Sequence, residues 1–353
     1  MIRVLIVDDM KTIRLALRAI FESDPELTIV GEAGDGEEGL ALCRKFRPDI
    51  VTMDINMPGM SGYEAIQHIM NEVPCPIVVI TGIESQPLVE VSFKALTLGA
   101  LTVLTKPRDF SPDNAEAKSL INQIKTMAAV KVVRRSLGTK PVPASIEKGE
   151  SQLSVSAQLV AIGLSTGGPP ALQTVLSGLP LSFPLPILVV QHISHGFVSG
   201  LSSWLSKTTQ FRCKVGAHDE TIQPGTVYLA PDNIHLTVRA NGKLWLDGSE
   251  PLGGHRPSAT VLFESVAKYF GAKAIGILMT GMGQDGAWGL KALHQAGAHT
   301  IVQDEASSVI SSMPKAAIAL NAADEILDLS QIAPRLISLT KKNRLAEGGP
   351  FGR

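Results

Sequence analysis

The chain has 353 residues, 44% of them hydrophobic, with 32 basic and 33 acidic side chains and a formal net charge of −1. That length favours two domains at roughly 100–200 residues each, the apolar content excludes a disordered chain, and the balanced charge removes any global electrostatic case for nucleic acid. Three scattered cysteines (Cys43, Cys75 and Cys213) with no CxxC pair exclude a disulfide framework and a cysteine zinc site, and suit a reducing compartment.

The opening MIRVLIVDD has only a short apolar run before two acids, unlike a signal peptide. No apolar stretch reaches the ~18 residues of a membrane span. The expectation is a cytoplasmic protein without membrane insertion. In chain order, residues 4–7, 28–33, 49–54, 76–81 and 101–105 read as strands. Helical patterns separate them; in the first, Ile13, Leu17, Ile20 and Phe21 recur at helical spacing. Five continuous apolar runs alternating with helices imply a parallel sheet covered on both faces, a flavodoxin-like (βα)5 domain over residues 1–127. Residues 128–156, rich in Ser, Pro, Gly and Lys, read as an interdomain linker. A second α/β domain, residues 157–342, restarts at 158–163 and adds strands at 186–191, 226–231, 235–239, 243–248, 274–281 and 299–304. Its pattern is Rossmann-like and doubly wound, with an antiparallel hairpin marked by Asn241-Gly242. The glycine-rich end, residues 343–353, reads as a disordered tail.

In the first domain Asp8 and Asp9 end the first strand and Asp54 the third. In sheet order 2-1-3-4-5 those strand ends are neighbours at the topological switch point. Three converging carboxylates call for a cation, and an oxygen-seeking Mg²⁺ matches. Thr81 and Lys106 follow strands 4 and 5; a hydroxyl and an ammonium there suit a phosphoryl group. Taken alone, Asp9 is equally a helix N-cap. The motifs VDDM, MDINMPGMSG, ITG and TKP resemble the receiver domain of two-component response regulators. The resemblance implies phosphorylation of Asp54 by a histidine kinase, with Mg²⁺ held by Asp8, Asp9, Asp54 and the backbone carbonyl of Asn56. Thr81 would be the switch hydroxyl, Lys106 the phosphate partner, and the Lys106–Pro107 bond cis. One position departs: Val103 stands where many receivers carry a second, aromatic switch element.

The second domain opens on LVAIGLSTGGPPALQTVL, residues 159–176. A dinucleotide fingerprint needs glycine where Ser165 stands, and a Walker loop needs a lysine that is missing. GLSTG does fit GxSxG, a strand-to-helix elbow that exposes a serine, with Pro169 and Pro170 tolerated early in the helix. The Thr166 amide lies where it can donate to an oxyanion. A nucleophile needs a base and the base an orienter. Of eight histidines, His192 is best placed, directly after strand 186–191, whereas His218, His235 and His255 fall in loops or near β turns. Asp285, after strand 274–281, is the acid, unless it only caps the helix that follows.

The segments GLSTGGP, VVQHIS, YLAPDNIHL, HRPSATVLFESVA and LMTGMGQDGA resemble the catalytic domain of the chemotaxis protein-glutamate methylesterases. The resemblance implies a phosphorylation-regulated hydrolase acting on glutamate γ-methyl esters of chemoreceptors, and deamidating receptor glutamines. It implies Ser165 as nucleophile, His192 as base, Asp285 as orienter, and the amides of Thr166 and Met282 as oxyanion donors. The ester hydrolysis would use no cofactor, Mg²⁺ belonging to the receiver. Partners would be methylated chemoreceptors and a chemotaxis histidine kinase, with no nucleic acid. Leu164 and Thr260 stand where the family often has alanine and aspartate. A receiver joined to an enzyme implies control, and the expectation is that the unphosphorylated receiver blocks access to Ser165. The rivals are a response regulator with a DNA-binding output and a non-catalytic module in which Ser165 is a turn residue.

Overall fold

The computed structural model describes residues 1–82, 93–130, 132 and 157–341. The chain divides into two compact units, Met1–Lys148 and Gly149–Arg353. Most of the expected linker and all of the expected tail lie outside the described residues.

The first unit runs β1 (Ile2–Val7), α1 (Lys11–Glu22), β2 (Leu27–Ala33), α2 (Gly36–Phe46), β3 (Ile50–Met53), α3 (Gly62–Glu72), β4 (Ile77–Thr81), β5 (Thr102–Thr105) and α4 (Ala115–Ala128). Every strand pairing is parallel, as the alternation of apolar runs predicts, and the order is β2-β1-β3-β4-β5. Val4, Leu5, Ile6 and Val7 are all buried because helices cover both faces of the sheet. Leu17, Ile20 and Phe21 bury one face of α1. The helix starts are fixed locally: Asp35 accepts from the Glu38 amide, and Ser61 with Glu64 forms a capping box.

The second unit begins with β6 (Leu159–Leu164), α5 (Gly168–Gly178), β7 (Ile187–Gln191), α6 (Val198–Thr208), β8 (Arg212–Val215) and β9 (Thr226–Leu229). It continues with the hairpin β10 (His235–Val238) and β11 (Leu244–Asp247), then α7 (Ala259–Tyr269), β12 (Ala274–Leu278) and α8 (Ala287–Gln295). β13 (His299–Gln303), α9 (Ser312–Ala319), β14 (Glu325–Leu327) and α10 (Leu329–Lys341) complete it. A seven-stranded sheet has the order β14-β13-β12-β6-β7-β9-β8, all of it parallel. The chain winds outward from β6 through β7, then returns to lay β12 on the other side of β6. The switch point is therefore at the carboxyl ends of β6 and β12, where open α/β sheets bind ligands. The hairpin β10–β11 is antiparallel and forms its own two-stranded sheet, with Gly242 at φ +70° in the turn.

Sequence patterning missed β8 and β14. Both are short edge strands with mixed exposure, so neither carries a continuous apolar run. Helices α7 and α8 pack against each other closely enough to exclude a side chain. A Cβ on Gly289 would lie 2.5 Å from the Thr260 carbonyl oxygen and 2.7 Å from its Cα. Gly289→Ala should therefore lower the stability of the second unit by about 1–3 kcal/mol, read as a shift in its urea midpoint. An unchanged midpoint would show that the helices are less tightly apposed.

Candidate active site

In the first unit the carboxyl ends of β1 and β3 bring Asp8, Asp9 and Asp54 together, and one oxygen from each lies within 4.8 Å of the others. Asp8 and Asp54 are nearly inaccessible, whereas Asp9 is exposed. The Lys106 ammonium, next after β5, lies 2.7 Å from Asp8 Oδ2 and 2.6 Å from Asp54 Oδ2. Thr81 is buried at the end of β4, and its carbonyl accepts from the Lys106 amide. Burial pushes the Asp8 carboxyl above its ordinary range, more than Lys106 pulls it down. For Lys106 burial works against the charge, but the Asp54 and Asp8 carboxylates outweigh it and raise the pKa. Asp9 is no helix cap: the cap residue of α1 is Met10, without a side-chain cap bond. Arg14 holds the Asp8–Asp9 turn instead, donating to the Asp8 carbonyl at 2.7 Å and the Asp9 carbonyl at 3.2 Å. The converging oxygens suit a hard cation.

One expectation here is corrected. Among the described residues the only cis peptide bond is Arg256–Pro257, so Lys106–Pro107 is trans. An X–Pro bond prefers trans by about 0.5–1 kcal/mol, and the trans form already delivers the Lys106 ammonium to both carboxylates.

In the second unit β6 runs straight into Ser165, and α5 starts after Gly167, whose φ is +76°. Pro169 falls in the first turn of α5, where its missing N–H costs nothing. The elbow is fastened on every side. The Ser165 amide donates to the Thr280 carbonyl at 3.0 Å, and the Ser165 carbonyl accepts from the Gly168 amide at 2.9 Å and from Gln191 Nε2 at 2.7 Å. Gln191 Nε2 also reaches the His192 carbonyl at 2.8 Å, so one side chain ties the serine turn to the histidine. Gly281 lies against the serine: a Cβ there would be 2.8 Å from Ser165 Cβ. Met282 therefore comes beside the elbow. No hydrogen bond from a described residue occupies the Thr166 or Met282 amide.

His192 is largely buried at the end of β7, and its Nε2 lies 2.9 Å from Asp285 Oδ2. Its Nδ1 is buried and has no partner. Asp285 does not cap its own helix; the N-cap of α8 is Gly286. Its carboxylate instead meets the first turn of α7. Oδ1 accepts from Ser258 Oγ at 2.6 Å and the Thr260 amide at 3.2 Å, and Oδ2 accepts from the Ala259 amide at 2.6 Å. Burial pushes the Asp285 carboxyl up, but His192, Ser258 and Thr260 outweigh it and hold it well below the usual range. An ionised carboxylate only accepts, so the neutral ring that fits this contact has its proton on Nε2 and its lone pair on Nδ1. The acid therefore meets Nε2, where in the usual triad it meets Nδ1.

His255 stacks on His192, with ring centroids 4.2 Å apart and planes 2° from parallel. Burial, then the neighbouring His192, lowers the His255 pKa, so it presents a neutral face. Thr260 accepts from the Gly286 amide at 2.8 Å through Oγ1, which binds α7 to the Asp285 turn. Ser258, His255 and Gln191 were not singled out from the sequence. Ser258 before an apolar run is a readable N-cap signal, but its second bond, to a residue 27 positions away, is not.

These sites define a two-unit α/β protein: an acidic pocket closed by a lysine in one sheet, and a serine elbow beside a buried histidine–aspartate pair in the other. Residues 4–114 match the response regulator receiver domain and residues 160–336 match the CheB methylesterase model. A protein-glutamate methylesterase/protein-glutamine glutaminase of Syntrophus aciditrophicus is 43% identical, covering 96% of this chain and 98% of its own length. One of Myxococcus xanthus is 44% identical, covering 96% of each. The crystal structure of the Thermotoga maritima CheB methylesterase catalytic domain is 37% identical with a TM-score of 0.51, covering 53% of this chain and all of that one. The chain belongs to the CheB methylesterase family.

The lowered Asp285 pKa has a pH consequence. Its carboxylate contributes stability in full above the unfolded value of about 3.9 and loses it as pH falls toward the lowered folded value. Urea unfolding of the second unit should therefore weaken more steeply from about pH 5 to about pH 2 in the wild type than in Asp285→Asn. Parallel curves would contradict this reading of the carboxylate.

Proposed function

We propose that this protein is a cytoplasmic, phosphorylation-regulated serine hydrolase that demethylates glutamate γ-methyl esters on chemoreceptors and deamidates receptor glutamines. The supporting observation is the buried His192, bonded to Asp285 through Nε2 and left with a bare Nδ1, at the strand ends that carry the Ser165 elbow. No helix among the described residues is long and apolar enough to cross a membrane.

The chemistry follows from those atoms. Ser165 Oγ attacks the γ-carbonyl carbon as its proton passes to His192 Nδ1, giving a tetrahedral oxyanion. The Thr166 and Met282 amides donate to that oxygen. Expulsion of methoxide, protonated by His192 to methanol, leaves a γ-glutamyl ester on Ser165. Water then gives a proton to Nδ1 and attacks the ester; collapse releases the glutamate carboxyl and returns the proton to Ser165. Throughout, Asp285 holds the ring and stabilises its transient positive charge while remaining ionised. A glutamine side chain follows the same course with ammonia leaving.

In the receiver, Asp8, Asp9, Asp54 and the Asn56 carbonyl would hold Mg²⁺. The ion would offset the negative charge of a phosphoryl group arriving from a histidine kinase. Asp54 accepts that group, Lys106 turns from the carboxylates to the phosphate, and Thr81 supplies the switch hydroxyl. Phosphorylation then raises the hydrolytic rate.

Two measurements test this. With methylated receptor, Ser165→Ala should release methanol at least ~10³-fold more slowly than wild type; near-equal rates would rule out a serine mechanism. Asp54→Asn should take up no phosphate from acetyl phosphate in Mg²⁺, and the phosphodonor should leave its methanol release unchanged. Normal labelling of that variant would remove Asp54 as the acceptor.

A further inference from the structure

Three of the four hydrogen bonds on Asp285 come from the first turn of α7, so the height and tilt of that turn set where His192 stands. Ser258 is the N-cap: its hydroxyl serves the helix, accepting from the Val261 amide at 3.4 Å, and donates to Asp285. The Ser258 backbone N–H needs an acceptor of its own. In a capping box that acceptor is a Glu or Gln three residues on. Here the position is Val261, which has none to offer. The acceptor comes from another element instead: His235 Nδ1 lies 3.1 Å from the Ser258 amide.

His235 is the first residue of β10 and is fully buried, as is Ser258. Its other nitrogen, Nε2, lies 3.2 Å from the Glu250 carbonyl. A carbonyl only accepts and a backbone amide only donates, so both contacts demand the same neutral tautomer, with the proton on Nε2 and a bare Nδ1. The hairpin thereby holds the start of α7 through the Ser258 amide, while Asp285 holds it through the Ser258 hydroxyl and the Ala259 and Thr260 amides.

We propose that His235 is a positioning residue for the reaction, acting through Ser258 and Asp285 on the orientation of His192. This rests on the reading of Ser165, His192 and Asp285 as the hydrolytic triad. A buried histidine that only fills space would be indifferent to which of its two nitrogens is preserved. A positioning histidine needs an acceptor at Nδ1.

The test uses the full-length protein and methylated receptor. In His235→Asn the side-chain oxygen falls near the Nδ1 position; in His235→Gln the polar atoms reach only toward Nε2. The Gln variant should have a kcat about tenfold below the Asn variant, with KM within about twofold, because a misplaced base slows chemistry more than binding. Equal kcat in the two variants, or losses that only follow their thermal unfolding temperatures, would overturn the proposal. Should neither variant fold, ¹⁵N NMR of wild-type histidines decides: a neutral Nε2–H ring for His235 at pH 7 supports it, and an Nδ1–H or doubly protonated ring overturns it. Ser165→Ala separates the two claims. Full activity there removes the triad itself, whereas an inactive Ser165→Ala beside a His235→Gln equal to wild type removes only the role of His235.

Discussion

The catalytic half depends on one buried anion. Asp285 keeps its charge away from water because four donors converge on it, and two of them are amides at a helix N-terminus, where partial positive charge gathers. Removing any donor would leave part of that charge uncompensated. The arrangement has a chemical consequence: with the carboxylate ionised, the neutral His192 ring carries its proton at Nε2, which leaves the lone pair at Nδ1 for the proposed base. The close approach of Gly289 to Thr260, the Thr260 bond to Gly286 and the His235 clamp all converge on the segment that supplies those donors. In the proposed mechanism the contacts between α7 and α8 thus bear on the reaction as well as on stability.

The receiver meets the same electrostatic problem with a different solution. Its carboxylates face one another, and a long cationic side chain, Lys106, bridges Asp8 and Asp54. That bridge can be exchanged for another partner, whereas two of the four bonds to Asp285 come from backbone amides fixed at a helix start. The difference suits the two proposed tasks, since a switch needs a charge that can change partners and a histidine acting as base needs one that cannot. Both sites lie at the switch point of a parallel sheet, beside β1 in one unit and β6 in the other, where strand ends diverge and leave a crevice.

Much of this was legible in the sequence. Continuous apolar runs such as VLIV and QLVAIG mark buried parallel strands, and the acids, the serine and His192 stand at the ends of such runs. The edge strands β8 and β14 were not legible because half-exposed strands lack that signal. Asp285 could be found from its place after a strand, but not the partners that define it, which come from a helix start some 26 residues earlier. Ring orientation is likewise invisible: no residue pattern says which nitrogen of His192 faces the acid. His235 sorts with turn residues in the sequence because it follows PDN and begins a short strand, yet it is fully buried and bonded at both nitrogens. The cis Lys106–Pro107 bond, expected from family resemblance alone, is absent.

In the proposed mechanism one serine forms one covalent intermediate with both ester and amide substrates. Hydroxylamine competes with water for such an intermediate and converts it to a γ-hydroxamate. The decisive measurement is the ratio of hydroxamate to carboxylate formed from a receptor carrying methyl-glutamate and from one carrying glutamine at the same position. A shared glutamyl-Ser165 ester gives the same ratio from both, because the leaving group departs before the partition. Ratios that differ with the leaving group, or carboxylate alone from both substrates, would contradict the account.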